Sequence, residues 1–154
     1  MATSYTEIID RFLSTVSEYM LLNMTDEERY EMLSSYIINA ATQFDSTCIY
    51  DLRDRDNELG QFNTTLPDEE IDILVDLMRV EWLKHKLYNS EKLRNGMSTK
   101  DYTVFSPANL LNEIRTTYQD ARDTANNRLV AYTYTHNGET IARLRKNGNH
   151  ILRE

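Results

Sequence analysis

Apolar residues recur at helical spacing along most of the chain. In residues 3–22 they stand three, four and seven positions apart, the pattern of one face of an amphipathic helix. Asn23 ends this segment, and Thr25 with Glu28 three positions later has the spacing of an N-terminal capping box. A second helix is predicted from there to about Phe44. The short link between the two predicts an antiparallel helical hairpin.

Two longer helices are predicted further along the chain. Pro67 suits the first position of a helix, and the acidic residues 68–70 favour the positive end of the helix dipole. Residues 71–83 are apolar on nearly every face, so this helix is expected at the centre of a bundle. The fourth helix is predicted to begin with Ser106 as its N-cap and Pro107 in its first turn.

Two connecting segments follow no clear repeat. Residues 45–66 contain many acidic side chains, and they predict either a short helix that ends at Gly60 or a solvated loop. The third helix is expected to fade between residues 88 and 94, and residues 95–105 predict a loop before the fourth helix.

The pattern changes after Leu129 from a period of 3.6 residues to a period of two. Tyrosine and threonine alternate in residues 132–135, and the pair Asn137-Gly138 is a strong signal for a type I′ hairpin turn. A second Asn-Gly pair follows ten residues later. The sequence therefore predicts a C-terminal β-hairpin or extended arm.

The predicted fold class is mainly α, with about four helices bundled over residues 1–129 and the arm over residues 130–154. An isolated hairpin is only marginally stable in water, so the arm needs a surface to pack on. Three possibilities remain open for the arm. It adds a strand to the sheet edge of a neighbouring subunit, it packs on the helices of its own subunit, or it is disordered until assembly.

The arm also contains the candidate interface residues. Tyrosine supplies contact area at low entropic cost and is enriched at protein interfaces. The predicted partner interface comprises Tyr132, Tyr134, Ile141, Leu144, Arg143 and Arg145.

Charge divides the chain at nearly the same point. Residues 1–127 carry 12 Lys and Arg against 23 Asp and Glu, a net charge of −11, whereas residues 128–154 carry 5 against 2, a net charge of +3. The acidic body is expected to repel nucleic acid. The basic tail is expected to pair with acidic protein, and the nearest acidic protein is another copy of this chain.

Residue types that carry catalysis or hold metals are sparse. Cys48 is the only cysteine, which excludes an internal disulfide and a two-cysteine metal site. Residues 54–65 faintly resemble a calcium loop, but Gly60 is the seventh residue rather than the sixth, and Thr65 occupies the twelfth position instead of Glu. The chain has no phosphate-binding or nucleophile motif. No catalytic residue, cofactor or metal site is predicted.

Neither a membrane span nor a secretory leader is predicted. No apolar run approaches the ~20 residues that cross a bilayer, and the first twelve residues lack the basic and apolar regions of a signal peptide. With 40% apolar and 27% charged residues, the 154-residue chain has the composition of a globular protein. It is expected to be made and used in a cytosol.

Three segments together resemble the neck proteins of tailed bacteriophages, the head-tail connectors also called adaptor or head-completion proteins. They are "YMLLNMTDEERYEMLSSYIINAATQF", "DLRDRDNELGQFNTTLPDEEIDILVDLMRVEWLKHKL" and "SPANLLNEIRTTYQDAR". The resemblance covers residues 5–125 and lies in the order of parts: a helical hairpin, an acidic link, a central helix with "EWL", and a capped long helix. The tail after Leu129 is the part of the chain that matches least.

The resemblance implies a structural virion protein of the neck, assembled in the host cytoplasm, with no enzymatic activity. It implies a homo-oligomeric ring, expected to be dodecameric, that sits under the portal protein, extends the DNA channel and docks tail or other neck proteins. DNA would pass through the lumen without specific binding, which suits an acidic body.

Three other functions remain open. One is a tail-completion or other virion structural protein, which requires the same assembly contacts. Another is a small DNA-binding regulator that uses the first two helices as a helix-turn-helix, although Glu27, Glu28 and Glu31 begin the second helix, where phosphates would lie. The third is a small enzyme, which would need a pocket with convergent polar groups.

Overall fold

Helices dominate the computed structural model, which describes residues 2–16, 19–96 and 107–151. The mainly α fold class is therefore confirmed. Within these ranges four long helices and one short helix accompany three two-residue strands. In chain order the elements are β1 (Thr3–Ser4), α1 (Tyr5–Thr15), α2 (Tyr19–Leu22), α3 (Asp26–Phe44), β2 (Arg55–Asp56), β3 (Gln61–Phe62), α4 (Asp68–Gly96) and α5 (Pro107–Ile151).

The first predicted helix is divided in two, whereas the second has the predicted bounds. α1 ends at Thr15, and Val16 has extended backbone angles, φ −122° and ψ 115°. The short α2 follows, and residues 17 and 18 between them lie outside the described ranges. At the start of α3, Thr25 Oγ1 accepts the N–H of Glu28 at 3.3 Å, and Glu28 Oε2 accepts the N–H of Thr25 at 3.1 Å. This completes the predicted capping box.

Residues 45–66 do not form the predicted short helix; they form turns and loops, as the alternative predicts, but with two short strands and several buried residues. Strands β2 and β3 from this segment join β1 in a three-stranded antiparallel sheet with the order β1-β3-β2. Phe62 in β3 stands in register with Thr3 on one side and Arg55 on the other. Phe62 is buried, so this small sheet forms part of the core rather than a solvated link.

The turn between β2 and β3 requires a glycine. Gly60 has a φ of 63°, in the left-handed region that side chains with a Cβ rarely adopt. A Cβ at this position would also overlap Tyr30 Oη. The Gly60 carbonyl accepts the N–H of Tyr5 at 2.8 Å, so the turn is tied to the start of α1.

α4 is the central helix, as the sequence predicts, and it contacts α1, α3 and α5. Its buried apolar side chains are Ile71, Ile73, Leu74, Val75, Leu77, Met78, Trp82 and Leu83. The helix continues to Gly96 instead of fading near residue 88. Of the predicted loop at residues 95–105, only residues 95 and 96 are described, and both belong to α4.

α5 runs antiparallel to α4. Arg115 Nη2 pairs with Glu91 Oε1 at 2.7 Å, and Arg128 Nη1 pairs with Asp76 Oδ2 at 2.7 Å, so residue numbers rise along one helix as they fall along the other. α5 begins at Pro107, as predicted, while its predicted N-cap Ser106 lies outside the described residues.

The predicted C-terminal β-hairpin is wrong, because residues 130–151 continue α5. This helix has 45 residues and is about 67 Å long. Both Asn-Gly pairs lie inside it as helical residues. The predicted boundary between a bundle and an arm at residue 129 therefore falls within a single helix.

Tertiary burial explains why the helix prevails over the local hairpin signals. Ala125, Tyr132 and Thr140 on one side of α5 are almost completely buried against the rest of the subunit. Their spacing of seven and eight residues places them on one helical face, whereas a strand would send Tyr132 and Ala125 to opposite faces. Burial of that face outweighs the turn and strand preferences of the individual residues.

We expect Gly138→Ala to raise the free energy of unfolding by about 1 kcal/mol, because alanine is favoured over glycine inside a helix and a Cβ there meets no neighbouring atom within 4 Å. Urea unfolding followed by circular dichroism measures the change. Gly60→Ala is the matched control, and it should lower the free energy by about 1 kcal/mol or more. A loss of stability in Gly138→Ala would instead indicate a turn with positive φ.

Candidate partner-binding surface

The structure places the six predicted interface residues on opposite sides of α5. Tyr132 is 1% exposed, and the Arg143 side chain is 11% exposed. In contrast, Tyr134 is 85%, Leu144 46% and Ile141 41% exposed. Arg145 is exposed as well. The prediction of a partner role is therefore unsupported for Tyr132 and Arg143, whose side chains contact their own subunit.

Tyr132 joins α5 to α4 and to the segment after α3. Its hydroxyl donates to Glu70 Oε1 at 2.8 Å and accepts the N–H of Ile49 at 3.2 Å. Its ring packs edge-on against Phe44, with centroids 5.0 Å apart, and its oxygen lies 3.9 Å from Cys48 Sγ. One side chain thus satisfies a buried carboxylate oxygen and a backbone donor together.

Burial raises the pKa of both the Tyr132 hydroxyl and the Cys48 thiol at this contact. It raises the pKa of the Tyr132 hydroxyl well above its usual range, and Glu70 acts in the same direction, so the hydroxyl keeps the proton that it donates. Burial also raises the pKa of the Cys48 thiol to about 11. The reactive thiolate is therefore scarce at neutral pH, and Cys48 is a buried structural residue.

Arg143 holds the end of α3 against α5. Its Nη1 donates to Asp45 Oδ1 at 2.9 Å and to the carbonyl of Tyr50 at 2.8 Å, and its Nη2 donates to the carbonyl of Asp45. The second carboxylate oxygen of Asp45 accepts from Arg53 Nε at 2.8 Å. Both Arg143 and Asp45 are largely buried, so this ion pair is shielded from solvent.

The carboxyl of Asp45 stays ionised because of these partners. Burial raises its pKa, but the hydrogen bond and charge of Arg143, the charge of Arg53 and the N–H of Leu52 together lower it by more. The pKa of Asp45 in the folded protein is consequently below its ordinary value of 3.8.

Further polar contacts extend along the same side of α5. They are His136 Nε2 to Glu69 Oε2 at 3.3 Å, Thr140 Oγ1 to the carbonyl of Thr47 at 2.9 Å, and Asn147 Nδ2 to Asp51 Oδ2 at 2.9 Å. We call the contacting side of α5 the inner row; its residues are Tyr132, His136, Thr140, Arg143 and Asn147.

A signal for the inner row is present in the sequence, although the apolar pattern does not reveal it. Its five polar or aromatic members stand three or four positions apart, which is the spacing of neighbours on one helical face. Sequence reasoning also missed the roles of Asp45 and Glu70. Glu70 belongs to the acidic run that begins α4, and Asp45 is a single acidic residue directly after α3, so both resemble solvated helix ends. Only the tertiary structure brings α5 onto them.

Four exposed apolar residues form the opposite side of α5. We call this side the outer stripe; its residues are Val130, Tyr134, Ile141 and Leu144. They stand four, seven and three positions apart, so they lie along one face of the helix. Gly138 lies between Tyr134 and Ile141, with open space around its Cβ position. The outer stripe has no partner among the described residues of the subunit and is the candidate surface for binding one.

Other site types find little support in the described parts of the chain. Shallow grooves of about 240 Å³ and about 200 Å³ flank the contact between α4 and α5, and their walls mix acidic, basic and apolar side chains. No group of three or more His, Cys, Asp or Glu residues in the described ranges is arranged to hold a metal ion. None of the described helices combines the length and apolar character needed to cross a membrane.

Comparison with known proteins leaves the family of this chain undetermined. No protein-family model, no curated protein and no solved structure matches it. The resemblance to phage neck proteins therefore stays a prediction, and function has to be inferred from the surfaces and charges of the subunit.

We expect Tyr132→Phe to lower the free energy of unfolding by about 1–3 kcal/mol, because it leaves Glu70 Oε1 and the N–H of Ile49 without their partner in a buried site. Chemical denaturation measures this loss. Tyr134→Phe removes the same atom from an exposed side chain, and it should change the free energy by less than about 0.5 kcal/mol. Equal effects of the two substitutions would contradict the assignment of inner and outer faces.

We expect the stability difference between the native protein and Asp45→Asn to depend on pH. A carboxyl with a lowered pKa stabilises the fold above its ordinary pKa, and that contribution is lost as the pH falls through the folded value. The difference, about 2 kcal/mol at pH 7, should therefore shrink as the pH falls below about 4.

Denaturant titrations at a series of pH values measure this dependence. Arg143→Met provides the control background, because Asp45→Asn should have a smaller and less pH-dependent effect once the guanidinium is gone. A difference that stays constant from neutral to acid pH would mean that the ion pair does not hold Asp45 ionised.

Proposed function

We propose that this protein is a structural subunit of the neck of a tailed bacteriophage, a head-tail connector. In this role it forms a homo-oligomeric ring beneath the portal protein, extends the DNA channel and docks tail or neck proteins. The observation that carries the proposal is the outer stripe, an exposed apolar face on a helix whose other face is anchored in the subunit. Such a surface suits a protein whose activity is to assemble.

Charge supports a channel-lining role. The net charge of −11 over residues 1–127 disfavours contact with phosphate, so DNA would move through such a ring without binding to its wall. In the basic segment after residue 127, Arg128 pairs with Asp76 and Arg143 pairs with Asp45. Arg145 remains exposed beside the end of the outer stripe, where it suits an acidic protein partner.

The helical C-terminus changes the proposed mode of assembly. A strand that adds to a neighbour's sheet is incompatible with residues 130–151 as a helix, so the partner would bind a helix face instead. Deleting these residues would be a poor test, because it would also remove Tyr132 and Arg143 from the fold. Substitutions confined to the outer stripe separate assembly from folding.

The neck role fits the described residues better than DNA-binding regulation. The first turn of α3, which would approach DNA in a helix-turn-helix, carries Asp26, Glu27 and Glu28. A connector and a tail-completion protein make the same physical demands on the subunit. The two are distinguished by whether the portal or a tail protein is the partner.

We expect the purified protein to form a multimer, alone or on addition of its portal, and we expect Tyr134→Glu with Ile141→Glu to prevent it, because buried unpaired carboxylates are costly at an apolar contact. Light scattering and native mass spectrometry measure the mass. Gln119→Glu adds negative charge to α5 ahead of the outer stripe and should leave assembly intact. A native protein that stays monomeric both alone and with the portal would overturn the connector role.

A further inference from the structure

We propose that the outer stripe binds the N-terminal end of α3 on a neighbouring copy of the chain. This inference rests on the proposed assembly of copies into a ring and names the surface that each copy offers to the next. The surface that receives the outer stripe must have exposed apolar residues and a charge opposite to that of the basic residue beside the stripe. It must also lie away from α5 within one subunit, so that it contacts the stripe of a different copy.

The N-terminal end of α3 offers exposed apolar residues. Leu22 is 74% exposed, Leu59 70% and Tyr30 39%, and these are large apolar side chains facing solvent. Tyr30 Oη lies against Gly60, the residue after Leu59, and the carbonyl before Leu22 accepts from Arg29 at 3.4 Å. These contacts bring the end of α2, the first turns of α3 and the β2–β3 turn together.

Three glutamates stand close to these apolar residues in the chain: Glu27 and Glu31 share the first turns of α3 with Tyr30, and Glu58 precedes Leu59. We call the combined surface the acidic patch; its residues are Leu22, Glu27, Tyr30, Glu31, Glu58 and Leu59. The three glutamates are exposed. An apolar centre with a charged rim is the usual anatomy of a protein interface.

Charge complementarity indicates that the outer stripe of one copy binds the acidic patch of another copy rather than the outer stripe of that copy. Arg145 follows Ile141 of the outer stripe by four positions, so the two residues lie on the same side of α5. Arg145 is exposed, and two stripes packed in parallel would bring Arg145 of one copy against Arg145 of the other. The acidic patch instead offers glutamates to Arg145, which favours the pairing and fixes its register.

The spacing of the outer stripe also suits a helix as partner. Its residues Val130, Tyr134, Ile141 and Leu144 stand four, seven and three positions apart, and the polar Asn137 between Tyr134 and Ile141 divides the gap of seven into three and four. This is the repeat of a helix that packs along another helix. The first turns of α3 supply a helix within the acidic patch, flanked by the apolar side chains of Leu22 and Leu59.

The two surfaces lie at different ends of α3 within one subunit. Beside the outer stripe, Thr140 and Arg143 contact residues 45 and 47, which follow the C-terminal end of α3. The acidic patch lies at the N-terminal end of the same helix, and its 19 residues span about 28 Å. Because unlike surfaces meet, the contact is heterologous, and repeating it produces a ring or an open filament.

Cysteine cross-linking between two variants tests the pairing directly. The native Cys48 is 0% exposed, so the background reaction with a short bismaleimide is low. The Ile141→Cys variant places a reactive thiol on the outer stripe, and the Leu59→Cys variant places one on the acidic patch. One variant carries an isotope label, and mass spectrometry distinguishes mixed dimers from dimers of either variant alone.

We expect the mixed dimer to exceed each same-variant dimer several-fold, and we expect its yield to fall as salt is raised, because screening weakens the contacts of exposed charges. Ser35→Cys on the middle of α3 is the matched control for Leu59→Cys and should cross-link to Ile141→Cys only at background level. Charge reversal with Arg145→Glu should lower the mixed yield, and Glu31→Lys in the other variant should restore part of it.

Two results would overturn the inference: self-cross-linking of Ile141→Cys that equals the mixed yield, or equal yields for Leu59→Cys and Ser35→Cys. Either result together with a portal-dependent multimer would leave the connector role standing and reject only this interface. A mixed dimer from a chain that forms multimers but does not bind its portal would keep the interface and reject the connector role.

Discussion

The buried ion pair between Arg143 and Asp45 fixes the course of the second half of α5. Removing either partner would leave an unpaired charge in a shielded site, so the helix end and the segment after α3 hold each other in place. The buried hydrogen bond from the Tyr132 hydroxyl to Glu70 anchors the helix in a similar way, three helical turns earlier. Between these two contacts α5 stays helical through Asn137 and Gly138, where local preference alone would turn the chain.

The sequence could predict those parts of the fold whose signals are local. The capping box of α3 and the apolar run of α4 depend on neighbouring residues, and both appear where expected. The hairpin prediction failed because the alternation at residues 132–135 is local, whereas the burial of Tyr132 depends on Glu70 and Phe44, which are distant in sequence. For the same reason the interface prediction placed Tyr132 and Tyr134 on one surface, although a helix turns them to different sides.

A helical outer stripe has different consequences for binding from those of a strand arm. An arm that becomes ordered on binding loses conformational entropy at that moment, whereas α5 is already held by its inner row before a partner arrives. In the proposed assembly, the inner row would therefore act indirectly, by keeping Tyr134, Ile141 and Leu144 in a fixed line. Substitutions on the two faces should separate the stability of the subunit from its affinity for a neighbour.

Like charge opposes the assembly of many copies of a chain with net charge −8. Salt screens this repulsion beyond about 8 Å at physiological ionic strength, so contacts at the interface matter more than the total charge. A ring of such subunits therefore needs basic residues where copies touch and can remain acidic elsewhere. Arg145 beside an apolar stripe meets that requirement in a body otherwise rich in carboxylates. In the proposed ring, the same distribution would combine firm contact between subunits with a channel wall to which DNA does not adhere.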